Sequence, residues 1–143
     1  MSLFITLDGI DGSGKTTAGK RLVNCLEKEG KRVLFTREPS DFLIGKFIKD
    51  YILGSEKKNR TNDAGDSPLP LSLINALDKS SYELACLLLF SADRVTHTDE
   101  LSKKLKYYDV IICDRFIDST FAYQSFEGFE KLILDLNGLN SST

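Results

Sequence analysis

The hydrophobic positions of this chain form three short runs, at residues 3–7, 33–36 and 109–114. Each run is bounded by polar or turn-forming residues, which is typical of a buried strand. In the third run, DVIICD, four consecutive apolar residues predict a strand covered on both faces. A helical pattern separates the first strand from the second, and this order of strand, helix and strand predicts a parallel βαβ unit.

Helices are predicted where apolar residues recur every three or four positions. The helix after the first strand carries Ala18, Leu22 and Leu26 on one stripe, and Gly30 is suited to end it. Further helices are predicted over 44–52, from a capping box of Ser80 and Glu83 to residue 92, from Thr98, from Ile117 and over 129–136. Residues 55–70 are polar and without periodicity, which predicts a mobile surface loop.

These elements predict an α/β fold with a parallel sheet flanked by helices. Only three strands are recognisable, fewer than such sheets usually carry. We therefore interpret residues 1–143 as a single domain whose C-terminal part is missing.

Composition narrows the class of protein. The chain is 41% hydrophobic and 28% charged, as in soluble globular domains, and its net charge of −2 argues against a nucleic-acid partner. The sequence has no apolar stretch near the ~20 residues that cross a membrane, and no leader pattern. The three cysteines, Cys25, Cys86 and Cys113, have apolar neighbours and no paired spacing, which predicts buried thiols and a cytoplasmic location.

The most specific motif is GIDGSGKT at residues 9–16, which matches G-x-x-x-x-G-K-[ST]. Glycines let successive backbone N–H groups point at an anion, and the following helix adds its positive end. Lys15 can reach the β- and γ-phosphates of ATP, and the Thr16 hydroxyl can ligate Mg²⁺. The predicted nucleotide-binding residues are Gly9, Ile10, Asp11, Gly12, Ser13, Gly14, Lys15, Thr16 and Thr17.

Asp11 is unusual in such a loop, because a carboxylate is poorly placed to hold a triphosphate. It could accept a hydrogen bond from the hydroxyl of a second substrate. The alternative is that its side chain only stabilises the loop.

Four further motifs follow in order, at or near the predicted strand ends and on one helix. They are TREP at 36–39, LLFSADR at 88–94, DRF at 114–116 and DSTFAYQ at 118–124. Together with GIDGSGKTT they resemble the thymidylate kinase family, from the first strand to about residue 136. The resemblance implies a three-layer P-loop NTPase fold, a homodimer, and ATP- and Mg²⁺-dependent phosphorylation of dTMP to dTDP in dTTP synthesis. Another nucleoside monophosphate kinase, or a non-catalytic nucleotide-binding module, remains the alternative.

The residue types suit this chemistry. Phe90 and Arg94 are four apart and share a helix face. The resemblance implies that Phe90 stacks on thymine, Arg94 bonds its O4 atom, Thr120 and Gln124 lie near N3, and Tyr123 crowds the 2′ position. Arg37 and Arg115 carry fixed charge suited to the acceptor phosphate, and Asp114 fits a role toward Mg²⁺. The predicted catalytic residues are Asp11, Lys15 and Arg115.

Ordinary structural roles remain open for these side chains. Phe90 could belong to the core, and Arg94 could pair with Asp93 or Glu100 on the surface. Asp114 and Arg115 could pair with their own neighbours, and Tyr123 and Gln124 could be structural. His97 is interpreted as structural, because nothing places it on the reacting atoms.

Three departures from the family pattern stand out. Asp8 replaces the glutamate common in relatives, and the polar stretch up to residue 70 is longer than usual. The family also continues with an arginine-bearing lid and further strands. We therefore expect a truncated sequence, with the first strand at an exposed edge of the sheet.

Overall fold

The computed structural model describes residues 2–54, 77–124 and 129–136, with only the backbone for residues 121–124 and 130. The predicted loop at 55–70 lies outside this part of the chain. The elements are β1 (Leu3–Leu7), α1 (Lys15–Lys28), β2 (Val33–Arg37), α2 (Leu43–Phe47), α3 (Lys79–Lys104), β3 (Val110–Asp114), α4 (Ile117–Gln124) and α5 (Glu130–Leu136). The predicted helix over 44–52 is α2 followed directly by a π-helical segment, Ile48–Leu53.

The sheet is parallel, in the order β1-β3-β2, so the strand that comes last in the sequence lies in the middle. Its five residues are all buried, which confirms the prediction that this strand is covered on both faces. Leu7 and Arg37 both pair with Asp114, so the three strands end level with one another. The loops that follow them therefore meet at one edge, where open α/β sheets place ligands.

Within the described residues, β1 is an edge strand, and Leu3 and Phe4 on it are 57% and 38% exposed. This agrees with the expectation that the strand leading into the phosphate loop has one uncovered edge.

Helix α1 meets the sheet at a glycine as well as at its apolar stripe. Of the three residues predicted on that stripe, Leu22 and Leu26 are half-buried, whereas Ala18 is exposed. A Cβ atom on the buried Gly19 would lie 2.5 Å from the Phe35 ring and 2.9 Å from Leu7. The absence of a side chain at this position brings the helix close to β1 and β2.

Helix α3 begins and ends differently from the prediction. Asp78 is its N-cap, and the carboxylate accepts hydrogen bonds from the backbone N–H and the hydroxyl of Ser81, each at 2.9 Å. The predicted capping box of Ser80 and Glu83 is therefore wrong. The helix also runs unbroken through Thr98, which caps no new helix.

The core beside α3 contains Ile48, Ile52 and Cys86. Cys113 is also buried, and burial raises the pKa of its thiol. Cys25 on α1 is exposed, so the prediction of three buried thiols is wrong. No helix in the described ranges is long and apolar enough to cross a membrane.

Candidate active site

The loop between β1 and α1 contains three glycines in the left-handed region or at its edge, Gly9, Gly12 and Gly14, with φ of 153°, 78° and 86°. Gly14 is the N-cap of α1. The loop therefore leads directly into the positive end of a 14-residue helix. This geometry is suited to binding a phosphate chain.

Lys15 folds back over this loop. Its Nζ atom donates to the carbonyl oxygens of Gly9 and Ile10, both at 2.7 Å. The ammonium group is thus held at the mouth of the loop by neutral acceptors. A phosphate oxygen is a stronger acceptor for an ammonium group than a carbonyl oxygen is. The Lys15 ammonium can therefore exchange these two acceptors for the phosphate oxygens of a bound nucleotide.

Thr16 and Asp114 connect α1 to the end of β3. The Thr16 hydroxyl donates to Oδ2 of Asp114, which is 6% exposed. The other carboxylate oxygen, Oδ1, is buried and has no hydrogen-bond partner among the described residues. A hydroxyl beside a carboxylate oxygen with spare capacity fits Mg²⁺, which takes one or two protein oxygens and completes its shell with phosphate and water.

Arg115 follows β3 with φ of 72°, a left-handed conformation that is uncommon for a residue with a side chain. Its N–H donates to Leu7 O at 3.0 Å, which ties it to the end of β1. The guanidinium forms an ion pair with Asp11 of the phosphate loop and lies 3.4 Å from the Ser119 hydroxyl. Two predicted catalytic residues, one from each loop, are therefore in direct contact.

Asp8 connects the phosphate loop to the segment that follows β3. Its Oδ1 atom accepts hydrogen bonds from the Ser119 hydroxyl at 2.6 Å and from Phe116 N at 3.2 Å. The sequence interpretation treated Asp8 as a mild change of residue and gave Ser119 no role. Only the tertiary structure reveals the pairing, because the partners lie more than a hundred positions apart in the chain.

Arg94 is buried, with 5% exposure, where α3 meets α4 and the loop after β2. Its Nε donates to Glu38 Oε2 at 2.8 Å, and Nη2 donates to Thr120 Oγ1 at 2.7 Å. The guanidinium carbon lies 5.4 Å from the centre of the Phe116 ring. Arg94 thus contacts one residue of the predicted base site, Thr120, directly.

The alternative surface partners of Arg94 are engaged elsewhere. Asp93 accepts from the backbone N–H of Ser40 at 2.7 Å, and Glu100 pairs with Lys104 at 3.3 Å. Arg94 instead pairs with Glu38 in a buried position, so the alternative of a surface pair with Asp93 or Glu100 is not observed.

Two further buried residues lie next to Arg94: Glu38, to which the sequence analysis assigned no role, and His97, which it interpreted as structural. His97 Nδ1 lies 3.2 Å from Glu38 Oε1, and Nε2 lies 2.8 Å from the Thr36 hydroxyl. Glu38 belongs to the TREP motif, and its place in that motif is the signal by which the sequence could have indicated a role for it.

The remaining predicted residues are more dispersed. Phe90 is half-buried and packs against the core of Ile48, Ile52 and Cys86. The Arg37 side chain is 60% exposed and lies 3.9 Å from Asp41. Tyr123 and Gln124 lie on α4 with Thr120, but their side chains are outside the described part of the structure.

The site has the parts of a P-loop nucleotide-binding protein. A glycine loop connects β1 to α1, a lysine and a threonine begin that helix, and an aspartate ends the central parallel strand. The family model for thymidylate kinase matches residues 7–138. The chain belongs to the thymidylate kinase family.

Individual relatives agree with this assignment. The chain is 38% identical over 137 residues to the probable thymidylate kinase of Thermococcus kodakarensis, covering 94% of this chain and 60% of that protein. It is 42% identical to that of Pyrococcus horikoshii, covering 95% of this chain and 56% of the relative. The crystal structure of thymidylate kinase from Ehrlichia chaffeensis matches with a TM-score of 0.70 and 33% identity, over 99% of this chain and 70% of that one. The chain thus spans about 60% of the length of the first of these curated relatives.

Proposed function

We propose that this protein transfers the γ-phosphoryl group of ATP to dTMP, with Mg²⁺, and so forms dTDP for dTTP synthesis. The observation that carries the proposal is the contact between Asp11 and Arg115. It joins the loop suited to the donor's phosphates to the loop that resembles the family's acceptor site. Both substrates of a kinase must meet at such a point.

The donor half is assigned to the phosphate loop. Its backbone from Gly9 to Thr17 would surround the phosphates of ATP, and Lys15 would exchange two carbonyl acceptors for phosphate oxygens. Thr16 and the unpartnered Oδ1 of Asp114 would hold Mg²⁺ directly or through water. The metal ion supplies positive charge that neutralises the phosphates.

The acceptor half is assigned to the loops after β2 and β3 and to α3 and α4. Arg37 and Arg115 would contact the 5′-phosphate of dTMP, and Asp11 would accept from the 3′-hydroxyl or orient the phosphate. The proposed base and sugar contacts are Phe90 by stacking, Arg94 at O4, Thr120 and Gln124 near N3, and Tyr123 at the 2′ position.

In the transfer, an oxygen of the dTMP phosphate forms a bond to the γ-phosphorus, and the bond from that phosphorus to the β–γ bridging oxygen breaks. ADP leaves with the electron pair of the broken bond. Lys15 and Arg115 would place fixed positive charge beside the moving group, where negative charge spreads in the transition state.

The decisive test is an ADP-release assay with dTMP as acceptor and with dCMP, dGMP and thymidine as controls. It is run on this chain and on the full-length product of its gene. Turnover with dTMP at least about a hundredfold above the controls supports the proposal. Preferential turnover with another acceptor indicates a different monophosphate kinase, and ATP binding without turnover in the full-length protein indicates a non-catalytic module.

We propose a homodimer in the cytoplasm as the working state. Leu88 and Val95 are seven positions apart on α3 and are 47% and 62% exposed, so they form an apolar patch on one helix face. The three cysteines are free thiols, as expected in a reducing compartment. Light scattering of the purified protein distinguishes a dimer from a monomer.

A further inference from the structure

Arg94, Glu38 and His97 form a cluster of three buried side chains, with 5%, 6% and 2% exposure, which we call the Arg94 cluster. We propose that His97 is a positioning residue: it fixes Glu38, which fixes the direction of Arg94 and thereby the choice of base. This inference rests on the proposed function, and it adds a specificity-determining residue outside the predicted site.

Among the described residues, two side chains accept hydrogen bonds from the guanidinium of Arg94. Glu38 binds Nε at 2.8 Å, and Thr120 binds Nη2 at 2.7 Å. Because the guanidinium is a rigid plane, two anchors on different nitrogens define its orientation. Phe116 adds further contacts, because the centre of its ring lies 5.4 Å from the guanidinium carbon and its carbonyl oxygen lies 3.4 Å from Nη2. The direction of Arg94 therefore depends on the placement of the Glu38 carboxylate.

Glu38 is in turn oriented by His97. A carboxylate only accepts hydrogen bonds, so the contact of 3.2 Å assigns the proton to Nδ1 of His97. In the neutral ring Nε2 then accepts from the Thr36 hydroxyl at 2.8 Å. The ring is therefore fixed at both nitrogens. It donates to Oε1 of Glu38, while Arg94 donates to Oε2 of the same carboxylate. Loss of the Nδ1 contact leaves one oxygen of a buried carboxylate unsatisfied, and the group can rotate.

This arrangement bears on the choice between thymine and cytosine. The guanidinium only donates hydrogen bonds, so it favours a carbonyl oxygen at position 4 of the base and disfavours the amino group that cytosine has there. Rejection of the wrong group requires that the donor stay in place. A guanidinium that can swing away no longer excludes cytosine.

Two substitutions at one position separate the two contacts of His97. In His97→Asn the side-chain amide nitrogen lies where Nδ1 lay, and it can still donate to Glu38. In His97→Gln the amide lies where Nε2 lay, so it keeps Thr36 and loses Glu38. The readout is the ratio of kcat/KM for dTMP to that for dCMP, with KM for ATP and the thermal unfolding midpoint measured in parallel.

We expect His97→Gln to lower the dTMP/dCMP ratio about tenfold, the effect of losing a hydrogen bond to a charged group. His97→Asn should recover most of the ratio, and KM for ATP should change less than about twofold in both variants. A packing role for His97 would affect both variants equally. Equal ratios in the two variants, whether lowered or unchanged, overturn the proposal.

A second experiment tests the positioning role without any nucleotide. Hydrogen exchange at Arg94 Nε–H, followed by NMR, should be slow in the wild type and in His97→Asn and at least about tenfold faster in His97→Gln. If the wild type does not phosphorylate dTMP, the proposed function fails, and this exchange rate alone decides the positioning role. Unchanged exchange in His97→Gln overturns it.

Thr36→Val provides an additional variant if His97→Gln does not fold. It removes the hydroxyl that fixes Nε2 at nearly constant volume, and we expect the ratio to fall about threefold. An unchanged ratio in Thr36→Val contradicts the chain of contacts from Thr36 to Arg94.

Discussion

The hydroxyl of Ser119, on α4, donates to the carboxylate of Asp8, at the end of β1, over 2.6 Å. The same hydroxyl lies 3.4 Å from the guanidinium of Arg115. One small polar group therefore holds the start of the phosphate loop against the residue that faces Asp11. This contact therefore helps to position Arg115 relative to the donor loop, beside its bonds to Leu7 O and Asp11.

Ser119→Ala should impair the phosphorylation of dTMP more than the binding of ATP. We expect kcat/KM for dTMP to fall about tenfold, and the free energy of unfolding to fall by about 1–2 kcal/mol, because Asp8 Oδ1 loses a hydrogen bond. KM for ATP should stay within about twofold. Ser102→Ala on α3 is the matched control, since its hydroxyl is exposed and bonds only the Thr98 carbonyl in the described structure. Equal effects from both serines would contradict the assigned role.

Lys15→Met should abolish most turnover while leaving the fold intact. In the described part of the chain the side chain donates to Gly9 O and Ile10 O, which are exposed residues, so its removal costs little stability. Loss of a fixed positive charge on the transferring group lowers kcat by about 10²–10³-fold. Steady-state kinetics and urea unfolding measure the two effects. A variant with near wild-type kcat would remove Lys15 from the catalytic residues.

Gly19→Ala should destabilise the protein, because the new methyl group would lie 2.5 Å from the Phe35 ring. We expect a loss of about 1–3 kcal/mol in the free energy of unfolding, typical of overpacking. Ala18→Ser, at the exposed neighbouring position, is the control and should change it by less than about 0.5 kcal/mol. Urea denaturation gives both values, and a neutral Gly19→Ala would mean that α1 can shift away from the sheet.

The pH dependence of stability should contain a contribution from Asp109. Hydrogen bonds from the Arg32 side chain and backbone hold the pKa of this carboxyl well below its usual range. Since the folded-state pKa lies below the unfolded-state value of about 4, the stabilisation is complete above that pH and is lost as pH falls through the folded pKa.

Asp109→Asn removes this contribution. Between about pH 5 and pH 2 its unfolding free energy should fall less steeply than that of the wild type. Asp41 and Asp78 have pKa values lowered in the same direction, by Lys49 and by the Ser81 backbone, so some acid sensitivity should persist in the variant. Parallel curves for the two proteins would remove Asp109 from the explanation.

The sequence predicted the three strands and the phosphate loop because both are local patterns. Four apolar residues in 109–114 need no tertiary information to indicate a strand buried on both faces, and this prediction is confirmed. The start of α3 was misplaced because Asp78 and Ser80 are both good N-cap residues, and the choice depended on which backbone N–H each could reach.

Helical spacing placed Ala18 on the apolar stripe and gave Gly19 no role, whereas the close approach of Phe35 selects glycine at that position. The contacts of Glu38 with Arg94 and His97 join segments far apart in the chain, so no spacing rule could have indicated them. The predicted roles in substrate binding, including those of Phe90 and Arg37, stay predictions.

The order β1-β3-β2 also has a consequence for how the molecule is made. Both outer strands form their ladders with β3, so neither can complete its backbone pairing until residues 110–114 have left the ribosome. The nucleotide-binding loop is synthesised before the strand that supplies Asp114 and anchors Arg115. Nascent chains that stop before β3 should bind no ATP, and the three described strands should assemble only once β3 is available, in a step whose long loop closures make it slow.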